Sequence, residues 1–343
     1  MKPNLRISPR HAQVGFSLVE LMVALTIGIF LLGAVGIIYV NTTTTSRSST
    51  LESQMNEDAS LALELLQQQV RLAGFSSVDN TGARLFPGQA MSGCDGGFAN
   101  NSAAFTALAC NAAGAGPDAF SVRYEASVLN SQPTAGGAPG NCAHEGVANW
   151  DATAEGAASN NIALADNRYY IANDADGTPT LFCQGRIGAA FGNATALIPN
   201  IEDMQVLYAL TALPANASDP VHHQVAGYAN ANVASSATAA APAYPALSGL
   251  VVPATLPAGT NNWSRVAAMR ICLVARTARP VPTGDNAITD LGRYVDCNGN
   301  VQTPNDRFLR RAYVTTVQLR NMRTALPSDY VPGGYAWEYL YEN

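Results

Sequence analysis

The apolar segment from Phe16 to Val40 constrains this chain more than any other feature. Glu20 is its only strongly polar side chain, and Ser17 and Thr26 interrupt it mildly. At about 1.5 Å per residue, such a helix would be roughly 37 Å long, which exceeds the ~30 Å core of a bilayer. The segment predicts a membrane-spanning helix with a carboxylate near its start, where acidic groups are costly and usually functional.

Three basic residues, Lys2, Arg6 and Arg10, precede this segment with no acidic residue among them. The positive-inside tendency therefore predicts a cytoplasmic N-terminus and export of the chain beyond the apolar segment. A cleaved secretory signal would have a shorter apolar region ending in a small-residue site, and here Gly15 precedes the apolar run instead. A plain signal anchor fits the length and the orientation but has no use for Glu20.

The motif "GFSLVE" (15 to 20), behind a basic leader, closely resembles the class III signal of type IV prepilins and type II secretion pseudopilins. The resemblance implies that a membrane-embedded aspartyl peptidase, the prepilin peptidase, cuts between Gly15 and Phe16 and methylates the new amine of Phe16. It also implies that Glu20 is an assembly charge that neutralises the amine of a neighbouring subunit. A buried carboxylate and a buried ammonium are each costly in lipid unless they meet.

The helix is predicted to continue beyond the membrane, because no proline occurs from residue 10 to residue 86. The hydroxyl-rich stretch 41–50 is a weak helix former, and we expect it to be helical but soft. Apolar residues then recur at steps of three and four, which predicts one buried helix face. They are Leu51, Met55, Ala59, Ala62, Leu66, Val70 and Ala73. Gly74 lies where the helix should end.

The chain after Gly74 changes to short alternating apolar runs separated by Gly, Asn, Pro and Ala, which predicts an antiparallel-rich sheet. The predicted strands include residues 120–124, 168–172, 180–183, 204–208, 266–275 and 312–319. Residues 226–262, rich in Ala, Asn and Pro, are predicted to be a surface insertion. "LALELLQQQVRLAGF" (61 to 75), "RYYIANDADGTPTLFC" (168 to 183) and "RRAYVTTVQLRN" (310 to 321) resemble PilW-type minor pilins, a large-headed pilin subfamily.

This resemblance implies an α+β, type IV pilin-like fold: a long N-terminal helix, with a membrane-spanning first half, packed on an antiparallel-rich β-sheet head. The expected segments are a cleaved leader (1–15), a transmembrane and assembly helix (16–40), its amphipathic continuation (41–74) and an exported head (75–343).

Six cysteines, all in the head, suit disulfides in an oxidising compartment. They permit fifteen pairings, and sequence does not choose among them. Short separations favour Cys94 with Cys110 and Cys272 with Cys297, which leaves Cys142 with Cys183.

Catalytic and metal motifs are weak in this sequence. Asp174 and Asp176 form a fragment of a calcium loop, but Ala172 and Cys183 stand where further ligands are needed, so we predict a hairpin turn and no metal. His222 and His223 are adjacent and cannot chelate one ion well. The aromatic cluster "YVPGGYAWEYLYEN" (330 to 343) fits either core packing or an interface. The net charge of −6 and the single lysine argue against nucleic-acid binding.

We therefore predict a non-enzymatic minor pilin of the PilW kind, without a cofactor, that helps to initiate a type IV pilus at or near its tip. Expected partners are the prepilin peptidase, other minor pilins, the major pilin, the inner-membrane assembly machinery and a tip adhesin. The protein would be a single-pass inner-membrane protein first and part of the pilus later, with roles in adhesion and twitching motility. The alternatives are a J-like type II secretion pseudopilin and a membrane-anchored periplasmic enzyme or binding module.

Overall fold

The structure is a computed structural model. It describes residues 15–77, 85–86, 88–112, 114, 116–151, 161–211, 225–236, 262–281 and 292–322. The leader residues 1–14, the pair His222 and His223, and the aromatic cluster at 330–343 lie outside these ranges, so the predictions about them stay predictions.

The N-terminal helix α1 runs without interruption over Leu18–Arg71, which is 54 residues. Its first part is exposed, and among the described residues this helix alone is long and apolar enough to cross a membrane. The mean hydropathy of its most apolar window is 2.7, and none of that window is buried. The second part buries Met55, Ala59, Ala62, Leu66 and Val70, so the predicted helix face is confirmed.

The helix ends at Arg71, and Gly74 completes the turn after it. Gly74 has a φ of +73°, and its amide donates to the carbonyl oxygen of Arg123 at 2.9 Å. A Cβ on this residue would lie 3.1 to 3.3 Å from Met322, Asn321 and Ala90. Glycine is needed here because the left-handed backbone and the close approach both exclude a side chain.

The first sheet is antiparallel and has the strand order β1-β2-β4-β5-β6, with β3 paired to another part of β4. Its strands are β1 (Met91–Cys94), β2 (Ala119–Glu125), β3 (Asn149–Asp151), β4 (Asn161–Asn173), β5 (Pro179–Gly185) and β6 (Thr195–Pro199).

The second sheet has the order β12-β9-β7-β8, also antiparallel, and β10 and β11 form a separate hairpin. The strands are β7 (Ile201–Thr211), β8 (Val225–Ala229), β9 (Val266–Arg276), β10 (Tyr294–Val295), β11 (Val301–Gln302) and β12 (Arg310–Gln318). The short helix α2 covers Ala231–Ser235, and 3₁₀ turns cover Phe105–Ala107 and Asn262–Arg265. All six predicted strand regions are strands, and the predicted α+β fold is confirmed.

The two sheets and α1 share one core. Asn200, with a φ of 63°, joins β6 directly to β7 and so links the sheets. The hydroxyl of Tyr208, on β7, fills the space beside Gly93, on β1, and its ring meets Trp263 edge to face at 4.7 Å between centroids. The buried face of α1 packs into the same cluster.

The prediction of a surface insertion over 226–262 is wrong for its first part. Val225–Ala229 is a strand of the second sheet, and the helix Ala231–Ser235 follows it. Ala229, Ala231 and Ala234 are buried. Small side chains let these segments approach the core closely, so an alanine-rich composition here reflects packing. Residues 237–261 lie outside the described part.

Three disulfides join the head internally, and they are the pairs that the sequence separations favour. Cys94 bonds to Cys110, Cys142 to Cys183 and Cys272 to Cys297, with Cα separations of 5.2, 6.2 and 5.8 Å. These separations lie in the usual range for cystines. Cys142–Cys183 ties the long loop after β2 to β5, and Cys272–Cys297 ties β9 to the turn between β10 and β11.

Candidate functional site

The candidate site is the start of α1, where the structure places Gly15, Phe16 and Glu20 together. Gly15 and Phe16 precede the helix, and Phe16 is 88% exposed. Glu20 lies in the first helical turn. The predicted cleavage point therefore lies at an accessible end of the helix, within one turn of the only carboxylate in the apolar segment.

Ser17 is the N-cap of α1, and Glu20 completes a capping box with it. The Ser17 hydroxyl accepts a hydrogen bond from the amide of Val19 at 3.3 Å. In return the Glu20 carboxylate accepts from the amide of Ser17 at 3.0 Å. These contacts satisfy amide groups that the first helical turn leaves without carbonyl partners. An unpaired amide is especially costly in lipid, where water cannot bind it.

The capping role of Ser17 is a functional feature that sequence reasoning missed. The signal was present, because serine followed three residues later by glutamate before an apolar run is the capping-box pattern. Ser17 was interpreted only as a mild polar interruption of a membrane segment. Glu20 thus has a role within its own chain, in addition to any role between subunits.

The hydroxyl-rich stretch 41–50 is helical, as predicted, and its side chains bond to its own backbone. Thr43 donates to the carbonyl oxygens of Tyr39 at 2.8 Å and Val40 at 2.9 Å, and Thr50 donates to that of Ser46 at 2.9 Å. Such back-bonding competes with the helix ladder and weakens it slightly. This stretch connects the apolar part of α1 to the part that enters the head.

A second polar cluster lies where the two sheets meet, around Asp95 and Asp118. Both side chains face a cleft of about 340 Å³, which Gln205, Asn230 and Arg270 also line. Asp118 accepts from the amides of Gly96 at 3.1 Å and Val206 at 2.8 Å. Its own amide donates to the carbonyl oxygen of Met204 at 2.7 Å, so Asp118 joins β7 to the first sheet.

Asp95 plays a similar structural part at the start of α2, accepting from the amides of Ala231 at 3.0 Å and Asn232 at 3.3 Å. Burial raises the pKa of Asp118 to about 6, with Asp95 and Asp203 adding repulsion, although its two amide donors act against the shift. Because backbone amides occupy both oxygens of each carboxylate, we assign these groups to structure and not to catalysis.

Asp174 and Asp176 lie in the turn between β4 and β5, where a hairpin was predicted. The Asp174 carboxylate accepts from the amides of Asp176 and Thr178, each at 2.9 Å, and Gly177 has a φ of +77°. Asp296 closes the turn between β10 and β11 in the same way, at 2.9 Å from the amide of Asn298. Within the described residues, no group of three or more His, Cys, Asp or Glu side chains could hold a metal ion.

Comparison with known proteins fits this arrangement of helix and head. Residues 168–321 match the family described as type IV pilus-assembly protein W, called PilW. This match covers a large part of the head. Residues 10–36 match the prokaryotic N-terminal methylation motif, which covers the candidate site and implies processing by a prepilin peptidase. The predicted resemblance is confirmed at both ends of the chain.

One solved structure similar to this chain is a type IV-like pilin from Thermus thermophilus. It is 13% identical, the alignment covers 79% of this chain and 99% of that one, and the TM-score is 0.34. A score this low carries no argument about function. No curated protein sequence matches this chain. The PilW match and the methylation motif are therefore the findings that bear on function.

Proposed function

We propose that this chain is a minor pilin that helps to initiate a type IV pilus and lies at or near its tip. The observation that carries the proposal is the division of α1 into two parts. One continuous helix is exposed and apolar over its most hydrophobic window, yet one face of its second part is buried in the core of the head. A helix built this way suits a subunit in which the first half of α1 lies in lipid before assembly and packs against other subunits afterwards.

Processing would prepare the candidate site for assembly. Cleavage by the prepilin peptidase after Gly15 would leave an amine on Phe16, which the peptidase would methylate. Glu20 would then meet the amine of a neighbouring minor or major pilin. The capping contact uses one oxygen of Glu20, and a carboxylate offers about four acceptor positions, so the second oxygen is available to a neighbour.

Localisation is inferred from the same segment. The basic residues before Gly15 favour a cytoplasmic N-terminus, with α1 crossing the inner membrane once and the head in the periplasm. The three disulfides of the head support an oxidising compartment. The inner-membrane assembly machinery would then move the subunit into the pilus and to the cell surface.

The head is proposed to act through contacts and not through catalysis, because the described polar clusters are occupied by structural hydrogen bonds. A head of this size permits few copies side by side, which suits a subunit that starts a fibre. Contact with a tip adhesin, and the resulting roles in adhesion and twitching motility, belong to the same proposal.

Deleting the gene tests this function, with the intact gene supplied in trans as the control. We expect a sharp loss of surface pili and of pilus-dependent movement, with secreted enzymes unchanged, and recovery of both on complementation. Loss of secretion with pili intact would favour the type II secretion pseudopilin. No change in either would favour an anchored module that works outside any filament.

A further inference from the structure

The orientation of the head along α1 is set by contacts with β12, the outer strand of the second sheet. Side-chain hydrogen bonds join α1 to β12 and to the turn after it, in ascending order along the chain on both sides. They link Arg311 to Glu52 (2.7 Å), Tyr313 to Asn56, Thr315 to Gln67 (2.9 Å) and Asn321 to the carbonyl oxygen of Arg71 (2.9 Å). The start of β12 therefore lies nearer to the apolar half of α1 than its end does.

The backbone before the start of β12 and after the end of β9 continues toward the apolar half of α1. The amide of Thr277 donates to the carbonyl oxygen of Leu309 at 2.9 Å, and that of Val281 donates to the carbonyl oxygen of Arg307 at 3.0 Å. These bonds extend the pairing of β9 and β12 past the ends of both strands. Residues 277–281 and 303–309, which we call the corner, therefore extend from this end of the second sheet toward the apolar segment.

Arginines are concentrated at this corner, and they fall into two groups. Arg276, Arg310 and Arg311 are neutralised locally by Glu202, Asp306 and Glu52. The second group is exposed and has no acidic partner within the described part of the chain. It consists of Arg279 and Arg307 at the corner and Arg47 on another face of α1, five residues before Glu52 and so nearer the apolar segment. Among the described residues, these three side chains carry positive charge that no acidic side chain pairs with, on a protein whose net charge is −6.

The heights of these residues above the apolar segment can be estimated from chain geometry. Arg47 comes seven residues after Val40, or ~10 Å along a helix. Arg311 lies level with Glu52, twelve residues or ~18 Å above Val40, and Arg307 can lie up to ~13 Å lower, at ~3.3 Å per residue. The headgroup layer is ~5 to 8 Å thick on each side of a bilayer. Long arginine side chains at these heights can reach it.

We propose that Arg47, Arg279 and Arg307 form a docking surface for the phosphates of anionic phospholipids while the subunit waits in the membrane. This inference depends on the proposed insertion of α1 into the bilayer. A guanidinium fork matches phosphate geometry, and a basic side chain near an anionic surface strengthens attachment by about fivefold. The rest of the acidic head is repelled by the same surface, so the arginine corner fixes which side of the head faces the membrane.

The test uses the full chain in nanodiscs, with a fluorophore carried by an unnatural residue at the exposed Thr303. Spin-labelled headgroups quench the fluorophore only at close range. One set of discs contains phosphatidylcholine alone, and the other contains one-third phosphatidylglycerol. We expect stronger quenching with phosphatidylglycerol at about 0.05 M salt. The difference between the lipids should disappear at about 0.5 M salt, where strong screening limits charge interactions to short distances.

The triple variant Arg47→Gln, Arg279→Gln, Arg307→Gln should lose the lipid-dependent quenching, by about fivefold in docking strength for each arginine. A control variant, Arg71→Gln with Arg320→Gln, removes exposed arginines at the far end of the head and should keep it. Equal quenching in both lipids for the intact chain would overturn the inference and would point to a protein neighbour for these arginines. Failure of the chain to enter nanodiscs would instead contradict the proposed membrane anchoring.

Discussion

The carboxylate of Glu20 lies 3.0 Å from the amide nitrogen of Ser17 and caps the helix to which it belongs. The charge that would join two subunits thus also closes the first turn of its own α1. Because the peptide bond of Ser17 remains after cleavage at Gly15, the cap is available both before and after processing. A substitution at Glu20 therefore changes two things, and variants must separate them.

Two substitutions at Glu20 separate the cap from the charge. Glu20→Gln keeps an acceptor for the Ser17 amide and removes the charge, whereas Glu20→Ala removes both. We expect both variants to insert and to be cleaved, and both to lose co-purification with other pilins, because the intramembrane charge partner is gone. Normal association of the glutamine variant, with loss in the alanine variant, would assign the role of Glu20 to capping alone.

Gly15 is expected to be required for processing, because a peptidase pocket fitted to a residue without Cβ cannot take a large side chain. Gly15→Val should retain the leader, as measured by the mass of the membrane-bound protein. Gly33→Val is the matched control, since a Cβ at either glycine meets nothing within 4 Å. Cleavage of the Gly15 variant at the normal rate would contradict the assigned cleavage point.

The buried face of α1 should dominate the stability of the head. Leu66 is fully buried, so Leu66→Ala is expected to lower the free energy of unfolding by about 2 to 5 kcal/mol. Leu61 lies on the same helix but is 51% exposed, and Leu61→Ala should change stability by well under about 1 kcal/mol. Denaturant titration in detergent compares them. Equal losses would mean that α1 does not pack on the head as described.

Asp118 gives the head a distinctive pH dependence. Burial raises its pKa from 3.8 to about 6, so between these values the folded state binds a proton that the unfolded state does not. Stability should therefore rise as the pH falls from 7 to 5, by on the order of 1 kcal/mol from this group. Burial raises the pKa of Asp203 too, so Asp118→Asn should reduce the dependence of the unfolding free energy on pH without abolishing it. Denaturant titrations across this pH range measure this dependence, and an unchanged dependence in the variant would contradict this assignment.

Local patterns in the sequence were enough to predict the regular elements of the fold. The three-and-four spacing from Leu51 to Ala73 predicted the buried face of α1, and alternation predicted strands such as β7 and β9. The capping box was also a local pattern. Ser17 was missed because it was interpreted only as a polar interruption of the membrane segment, and its spacing from Glu20 was not considered. Both features depend on neighbours in sequence, which a single sequence displays.

The sheet contacts of Asp118 could not be predicted in this way. Asp118 bonds to the amide of Val206, 88 residues away, and no pattern near either residue marks that contact. The arginine corner could not be predicted either, because Arg279 and Arg307 come together only when β9 and β12 pair. The strand at Val225–Ala229 was missed because alanine and glycine give no alternation of apolar and polar side chains.

The most direct test of the central claim is mass spectrometry of pili sheared from cells and purified. We predict a peptide that begins with N-methylated Phe16, present in small amounts relative to the major pilin, and absent from the same preparation of a peptidase-deficient strain. Recovery of the chain only from the membrane fraction of piliated cells, or with residues 1–15 still attached, would contradict its assignment as a processed pilus subunit.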